Sequence, residues 1–244
     1  MTTKFATGLM PRAQDGGGPS LSDRLHVAAF GAIGWPWLLK SLSGGRKRDK
    51  RRLLERLGLP FDALPNLGSW KADTVLLHRI VDTIEQLRPD TVVELGAGAS
   101  TLVTAKALAI NGGGRLVSFD QHGDFVEATR AWLGEHGLSA DLRTADLVVP
   151  PQGWPGLWYD VHHLPERIDL LIIDGPPWSI HPFVRGAAES LFDRVPVGGM
   201  VLLDDAARPG ERIVARRWRK AWPNFSFQLD KSGTKGTLVG VRLS

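Results

Sequence analysis

Residues 91–101 read Thr91-Val92-Val93-Glu94-Leu95-Gly96-Ala97-Gly98-Ala99-Ser100-Thr101, and residues 102–110 continue as LVTAKALAI. The β-branched run at the start predicts a strand, the Gly-x-Gly predicts a tight turn, and the last segment is rich in good helix formers. Glycine accepts positive φ and lets a ligand lie against the main chain, while a helix N-terminus offers unpaired N–H groups. This strand–turn–helix unit predicts a site for a nucleotide-like cofactor.

The details of the loop distinguish between cofactors. A dinucleotide fingerprint ends in a third glycine, but Thr101 stands at that position. Glu94 at the strand end would repel a diphosphate, whereas it could hold an ammonium group directly or through water. The string from Glu94 to Thr101 resembles the glycine-rich first motif of the class I S-adenosylmethionine-dependent methyltransferases. This resemblance implies S-adenosylmethionine as the cofactor, with contacts from Glu94, Gly96, Ala97, Gly98, Ser100 and Thr101.

Two further acidic residues are candidates for cofactor contact. The second predicted strand ends at Asp120, which lies 24 residues after Gly96. Nucleotide sites of α/β proteins place a carboxylate on the ribose hydroxyls at about this spacing, and we expect Gln121 and His122 beside the adenine. The methyltransferase resemblance implies that Asp146, after the third strand, accepts the adenine amino group. A turn or strand-end role is the alternative for both aspartates.

Three carboxylates follow the next two predicted strands. Asp174 comes directly after the buried run LLII, and Asp204 and Asp205 follow MVLL. Neighbouring parallel strands would bring these side chains together, where they would repel one another unless a cation such as Mg²⁺ lay between them. The order of motifs resembles the metal-dependent O-methyltransferases of the catechol and macrolide-sugar kinds. More narrowly, the strings IDGPP and LLDDAARPGE resemble bacterial enzymes of methyltransferase family 24.

The chain departs from the catechol enzymes at the catalytic base. Those enzymes carry a lysine three residues after the first metal-binding aspartate, and Pro177 stands there in this chain. His181 is the best candidate for a substitute base, because a neutral imidazole can accept a hydroxyl proton. A surface or hydrogen-bonded structural histidine is the alternative. Asp174 is the second candidate catalytic residue and a further candidate for cofactor contact. An ion pair of Asp205 with Arg208 or Arg212 is an alternative to metal binding.

The succession of elements predicts an α/β fold. We expect a Rossmann-like, doubly wound, seven-stranded sheet of the class I methyltransferase type, with its last strand antiparallel and joined to its neighbour in a hairpin. The methyltransferase domain is predicted over residues 67–244, a basic helical extension over 21–66 and a mobile tail over 1–20. The loop 149–165 contains Trp154, Trp158 and Tyr159, which could form a stacking wall for an acceptor or cover the core.

Composition limits the partners and the location. The chain has no cysteine, which excludes disulfides and thiolate metal sites and fits a cytoplasmic protein. Its net charge of +4 arises from residues 46–52, where six of seven residues are basic, so we predict no nucleic-acid partner. The uncharged stretch 27–39 is too short to span a membrane, and Pro36 would interrupt a helix there. Residues 27–52 could contact the inner face of a membrane, or pack on the core or on a second subunit in a homo-oligomer.

These observations predict an S-adenosylmethionine-dependent O-methyltransferase, with Mg²⁺ or another divalent cation. Its acceptor would be a hydroxyl of a small molecule, namely a secondary metabolite, a glycan or a glycolipid. The main alternative is a catalytically silent binding module with the same fold, acting in a biosynthetic complex. An NAD-linked oxidoreductase is disfavoured by Glu94 and Thr101, and a nucleic-acid methyltransferase by the lack of an N/D-P-P-Y/F string.

Overall fold

The computed structural model describes residues 20–64, 66–150 and 153–244, so nearly all of the predicted tail lies outside the described residues. Within these ranges the helices are α1 Leu21–Ser41, α2 Lys47–Leu57, α3 Thr74–Leu87, α4 Ala99–Ile110, α5 Gly123–Glu135, the 3₁₀ segment Val184–Arg194 and α6 Pro209–Ala221. The strands are β1 Thr91–Leu95, β2 Arg115–Asp120, β3 Asp141–Thr144, β4 Leu147–Val148, β5 Trp158–Tyr159, β6 Leu170–Ile173, β7 Met200–Leu203, β8 Phe225–Asp230 and β9 Thr237–Arg242.

Seven of the strands form one sheet in the order β3-β2-β1-β6-β7-β9-β8. The first five strands of this order are parallel, whereas β9 runs antiparallel to both β7 and β8. The order reverses direction between β1 and β6, which is the point where open α/β sheets bind their ligands. The predicted fold class, including the antiparallel last strand, is confirmed.

Helices cover both faces of the sheet. One hydrophobic cluster joins α2, α3 and α4 to β1, and its fully buried members include Leu53, Leu76 and Leu102. The other cluster joins the 3₁₀ segment and α6 to the opposite face, around Phe192 and Trp218. Since the α2 leucines belong to the first cluster, the hydrophobic core does not stop at the predicted domain boundary near residue 67.

Two predicted local features differ from the structure. The helix α1 continues through Pro36 without interruption. Pro36 and Ala32, whose carbonyl loses its usual partner, are both exposed, so water can bond that carbonyl. The sequence also predicts an α-helix near residues 184–192, and the structure has a 3₁₀ helix there instead. Side chains three apart are aligned in a 3₁₀ helix, and the buried Arg185, Ala188 and Leu191 have this spacing.

The helix α1 lies across the loop that follows β6. Ser20 caps it through a capping box with Asp23. Phe30 packs edge-on against Phe183 with ring centroids 4.9 Å apart. Among residues 20–64, 66–150 and 153–244, no helix has the length and apolar character that crossing a bilayer requires.

A buried carboxylate, that of Asp73, ties α3 to the β8–β9 turn. One of its oxygens caps α3 by accepting from Leu76 N at 2.9 Å. The other accepts from Thr234 N at 2.7 Å, from the Thr234 hydroxyl at 2.9 Å and from Lys235 N at 3.3 Å. Asp73 therefore fixes a turn that is distant in sequence and, as shown below, lies beside the candidate active site.

Replacing Asp73 with alanine should destabilise the fold by about 2–4 kcal/mol, because it removes a helix cap and leaves buried donors without acceptors. Urea unfolding followed by circular dichroism measures this loss. Glu135→Gln, at an exposed position in the last turn of α5, is the matched control and should change the unfolding free energy little. A loss for Asp73→Ala no larger than that of the control would contradict the role of Asp73.

Candidate active site

The glycine loop after β1 packs directly on the loop after β6. Gly96 has a φ of 98°, and a Cβ atom there would lie 2.7 Å from Gly175 N. Gly98 has a φ of 154° and leads into α4, and its N–H donates to the Thr101 hydroxyl at 2.8 Å. Only glycine combines this backbone conformation with so close an approach. The predicted strand–turn–helix unit is confirmed, and α4 begins at Ala99, next to Ser100.

Glu94 lies beneath this loop with its side chain fully buried. Its Oε2 atom accepts hydrogen bonds from the hydroxyls of Thr101 and Ser118, both at 2.6 Å. Burial raises the pKa of Glu94, although the hydroxyl hydrogen bonds oppose this effect. Its Oε1 atom is buried and has no hydrogen-bond partner among the described residues. A buried acceptor of this kind suits an ammonium group or a water molecule bound to one.

Asp120 stands at the end of β2, on the same edge of the sheet. Its carboxylate accepts from the backbone N–H of His122 at 2.9 Å. Burial raises the pKa of Asp120 to about 6, although backbone N–H groups, including that of Ala97, oppose the shift. The Oε1 atom of Gln121 is buried without a partner, and the Asp146 residue is exposed. The loop, the unpaired oxygens and the carboxylate together fit a cofactor that carries an ammonium group and ribose hydroxyls.

The aromatic residues of the loop 149–165 cover this edge of the sheet instead of forming an open stacking wall for an acceptor. Trp154, Trp158 and Tyr159 are all buried in the core cluster on the α6 face. The Tyr159 hydroxyl lies directly against Gly175 and has no hydrogen-bond partner among the described residues. Burial, together with the nearby carboxylate of Asp120, raises the pKa of Tyr159 well above its usual value. The Tyr159 side chain therefore lies directly against the loop that packs on the glycine loop.

The structure brings the three predicted carboxylates together. Oxygen atoms of Asp174, Asp204 and Asp205 all lie within 4.8 Å of one another. Asp174 is the most accessible, with 13% of its side chain exposed, whereas Asp205 is 3% exposed. The Oδ1 atom of Asp204 is buried and has no hydrogen-bond partner among the described residues. The convergence follows from the parallel pairing of β6 and β7, which places Ile173 beside Leu203.

Three basic side chains lie among these carboxylates. Lys235 Nζ is 3.4 Å from Asp204 Oδ2 and 3.5 Å from Asp205 Oδ1, and 1% of its side chain is exposed. Arg185 Nη1 lies 3.1 Å from Asp205 Oδ2, and Arg208 Nη1 lies 2.9 Å from the same atom. The predicted alternative of an ion pair between Asp205 and Arg208 is therefore present. Each carboxylate of the cluster has a positive charge close to it.

The charges explain the direction of the pKa shifts in the cluster. Burial acts to raise the pKa of Asp205, but Lys235, Arg208 and Arg185 outweigh it and lower this pKa to about 2. Burial raises the pKa of Asp204 and Asp174, with Lys235 opposing the rise in both. Asp205 is thus the most firmly ionised member of the cluster.

The donor set does not fit a divalent ion in this arrangement. Mg²⁺ requires oxygen ligands at about 2.0–2.1 Å in near-octahedral geometry, together with several waters. Lys235 already lies between Asp204 and Asp205, and two further buried cations, Arg185 and Arg208, lie beside Asp205. An added ion would have to displace a buried ammonium that has no solvent to move into. Metal binding by Asp174, Asp204 and Asp205 stays a prediction, and we derive no catalytic step through it.

His181 lies under α1 and its contacts do not point to catalysis. The Nδ1 atom accepts from Phe183 N at 3.1 Å, and the ring lies 5.3 Å from that of His26 between centroids. Nε2 therefore carries the proton and lies 3.9 Å from Asp23 Oδ1. Burial lowers the pKa of His181 to about 4. The role of His181 as general base stays a prediction, and its surroundings favour a structural role.

Sequence reasoning missed two residues of the site, Arg185 and Lys235. Arg185 lies in the 3₁₀ segment, and Lys235 lies in the turn that joins β8 and β9. The strand register explains the position of Lys235, because β9 pairs Leu238 with Leu203 and so brings the turn beside the end of β7. The backbone confirms this proximity, since Ala207 N donates to Lys235 O at 3.1 Å.

Comparison with known families identifies the domain. The family model of a methyltransferase domain, methyltransferase family 24, matches residues 93–206. This segment begins in β1 and ends after Asp205, so it contains both the glycine loop and the three carboxylates. No protein of curated function matches the sequence.

Solved structures share the fold at low sequence identity. An O-methyltransferase from Bacillus cereus in complex with SAH superposes with a TM-score of 0.53 at 14% identity, covering 88% of this chain and 99% of that one. A SAH-bound methyltransferase from Podospora anserina superposes with a TM-score of 0.54 at 12% identity, covering 80% of this chain and 88% of that one. A methyltransferase from Geobacter sulfurreducens superposes with a TM-score of 0.52 at 19% identity, covering 80% of this chain and 87% of that one. From the family match and this shared fold, we conclude that the chain carries a class I S-adenosylmethionine-dependent methyltransferase domain resembling methyltransferase family 24.

Proposed function

We propose that this chain is an O-methyltransferase that transfers the methyl group of S-adenosylmethionine to a hydroxyl of a secondary metabolite, a glycan or a glycolipid. The observation that carries the proposal is the position of Asp174, which follows the strand next to β1 and lies beside the loop that packs on Gly96. A partly exposed carboxylate at this point can meet an acceptor hydroxyl next to the cofactor loop. A nucleic-acid acceptor is not part of the proposal.

The residues around the glycine loop would hold the cofactor. The free Oε1 atom of Glu94 is suited to its ammonium group, and the Asp120 carboxylate to the ribose hydroxyls. Bound there, S-adenosylmethionine supplies an electrophilic methyl group on a sulfonium that leaves as a neutral thioether. Because the leaving group is already activated, the protein contributes chiefly by positioning the acceptor in line with the methyl group.

Asp174 is the residue that we assign to the acceptor. Its carboxylate accepts the hydroxyl hydrogen and takes the proton as the acceptor oxygen forms its bond to the methyl carbon. Burial raises the pKa of Asp174, which makes the ionised carboxylate a stronger base. Arg185 fixes its position, because Arg185 Nη2 lies 3.6 Å from Asp174 Oδ1 and also donates to the Asp174 carbonyl.

Asp174→Asn should abolish methyl transfer while leaving cofactor binding within a few-fold of wild type, since the amide keeps the shape but cannot take a proton. We would titrate the purified protein calorimetrically with S-adenosylmethionine, then measure S-adenosylhomocysteine release with a panel of hydroxylated acceptors. The control is Asp193→Asn, at an exposed position in the 3₁₀ segment.

Two results would contradict the O-methyltransferase proposal. If wild-type protein binds the cofactor but methylates none of the acceptors, the silent binding module is favoured. If Asp174→Asn retains full activity, the proton is accepted elsewhere, and His181 becomes the next candidate. If the wild-type protein does not bind S-adenosylmethionine under any condition, the cofactor contacts assigned to Glu94 and Asp120 are wrong.

Cofactor affinity should fall as the pH is lowered through about 6. The Asp120 carboxylate can accept two ribose hydrogen bonds only when ionised, and its pKa of about 6 means that it becomes protonated below this value. The dissociation constant should therefore rise by up to about tenfold per pH unit on the acid side of pH 6 and stay level above it. Calorimetric titration from about pH 5 to pH 8 measures this profile.

Asp120→Asn separates Asp120 from other titrating groups. We expect this variant to bind weakly throughout the pH range and to show a flat profile. An unchanged acid limb in Asp120→Asn would assign the titration to another group, such as Glu94.

We further propose that residues 27–52 contact an anionic membrane surface peripherally. The outward side of α1 and the residue after it carry large exposed apolar side chains: Leu21, Leu25, Ile33, Trp35, Leu39 and Leu42. Exposed basic residues follow directly at Arg46, Lys47, Arg48, Arg51 and Arg52. An apolar face beside a basic cluster suits the boundary between acyl chains and anionic headgroups.

Wild-type protein should co-sediment with vesicles that contain phosphatidylserine, and added salt should weaken this binding. Trp35→Ser combined with Leu39→Ser should reduce the bound fraction several-fold, whereas Trp70→Ser, at an exposed tryptophan outside α1, should not. Absence of vesicle binding, together with concentration-dependent self-association that the double variant abolishes, would instead assign this face to a homo-oligomer.

A further inference from the structure

The carboxylate cluster contains its own cation. In the sequence, the convergence of Asp174, Asp204 and Asp205 implied a bound metal, because three anions repel one another in a buried site. In the structure, the ammonium group of Lys235 lies between two of them, at 3.4 Å from Asp204 Oδ2 and 3.5 Å from Asp205 Oδ1. A point charge with three rotatable donors can satisfy several oxygens at once, as a bound ion would.

Lys235 is held in this position by its backbone as well as by its charge. Its N–H donates to the buried Asp73 carboxylate at 3.3 Å, and its carbonyl accepts from Ala207 N at 3.1 Å. The next residue, Gly236, is also bonded to the loop after β7, because its carbonyl accepts from Ala206 N at 2.9 Å. Contacts on both sides of the turn thus aim the Lys235 side chain at the end of β7. Swinging it into solvent would break a packed turn, not simply rotate an exposed side chain.

Two arginines supply further positive charge to the cluster. Arg185 bridges Asp174 and Asp205, and Arg208 pairs with Asp205. With Lys235, three buried cations face these three carboxylates and a fourth buried carboxyl group, that of Glu211, whose pKa burial raises to about 7. A divalent ion between Asp204 and Asp205 would lie close to the Lys235 ammonium group and be repelled by it.

We propose that Lys235 takes the place of the divalent cation that the aspartate pattern implies, so that the site works without metal. Lys235 acts as a positioning residue: its ammonium group attracts both carboxylates and so holds Asp204 and Asp205 in place beside Asp174. The inference concerns cation binding and needs no turnover for its test, so its failure can be distinguished from failure of the proposed O-methyl transfer.

Titration with Mn²⁺, followed by electron paramagnetic resonance of the free ion, tests the proposal on the full chain. Wild-type protein should show no saturable binding up to millimolar Mn²⁺. Lys235→Met removes the charge with little change of shape, so the carboxylate cluster should gain one Mn²⁺ site. Lys235→Arg keeps the charge and should gain none. Addition of Asp204→Asn to Lys235→Met should weaken the new site at least tenfold, which a purely structural role of Lys235 would not predict.

Wild-type activity, once an acceptor is known, should be unaffected by EDTA. Saturable micromolar binding of Mn²⁺ by the wild type would overturn the proposal, and so would failure of Lys235→Met to gain a site. If Lys235→Met does not fold by itself, it is refolded with and without millimolar Mn²⁺. Recovery of the native circular dichroism spectrum only with Mn²⁺ supports the substitution of ammonium for metal, and no recovery overturns it.

Discussion

Burying three carboxylates within 4.8 Å of one another is the electrostatic constraint on which the rest of this site depends. Each buried ion loses several kcal/mol of hydration, and only closely placed counter-charges can offset such a loss. Lys235, Arg185 and Arg208 provide those charges from three different parts of the chain. The site therefore forms only when the hairpin, the 3₁₀ segment and the loop after β7 are all in place.

This dependence links the three carboxylates to elements other than the strands that they follow. Asp73 holds the turn that carries Lys235, and the same carboxylate caps α3. Arg185 reaches the carboxylates from the buried first part of the 3₁₀ segment, and it also donates to the backbone carbonyl of Pro176 at 3.1 Å. Damage to one of these elements would be expected to disturb both the fold and the charge balance of the site.

Access to the site is governed by elements outside the sheet. On one side, Tyr159 covers the edge of the sheet beside the glycine loop, with its hydroxyl against Gly175. The helix α1 covers the loop after β6 from the other side, where Phe30 and Gly31 pack against Phe183 and Trp178. An acceptor approaching Asp174 would meet surfaces formed by this loop and by α1. The selectivity of the proposed enzyme would therefore depend on parts of the chain whose sequence carries no motif.

Sequence alone determined the sheet, its antiparallel last strand, the glycine loop and the convergence of Asp174, Asp204 and Asp205. These features follow from local patterns, since β-branched runs, glycines and the carboxyl ends of parallel strands have the same consequences in any chain. The partners of the carboxylates could not be predicted in this way. Lys235 is 31 residues from Asp204, and Asp73 is 161 residues from Thr234, so their contacts arise only when the hairpin closes on the sheet. The positions of Lys235, Arg185 and Arg208 beside the carboxylates depend on such long-range contacts, and for that reason they became visible only in the folded structure.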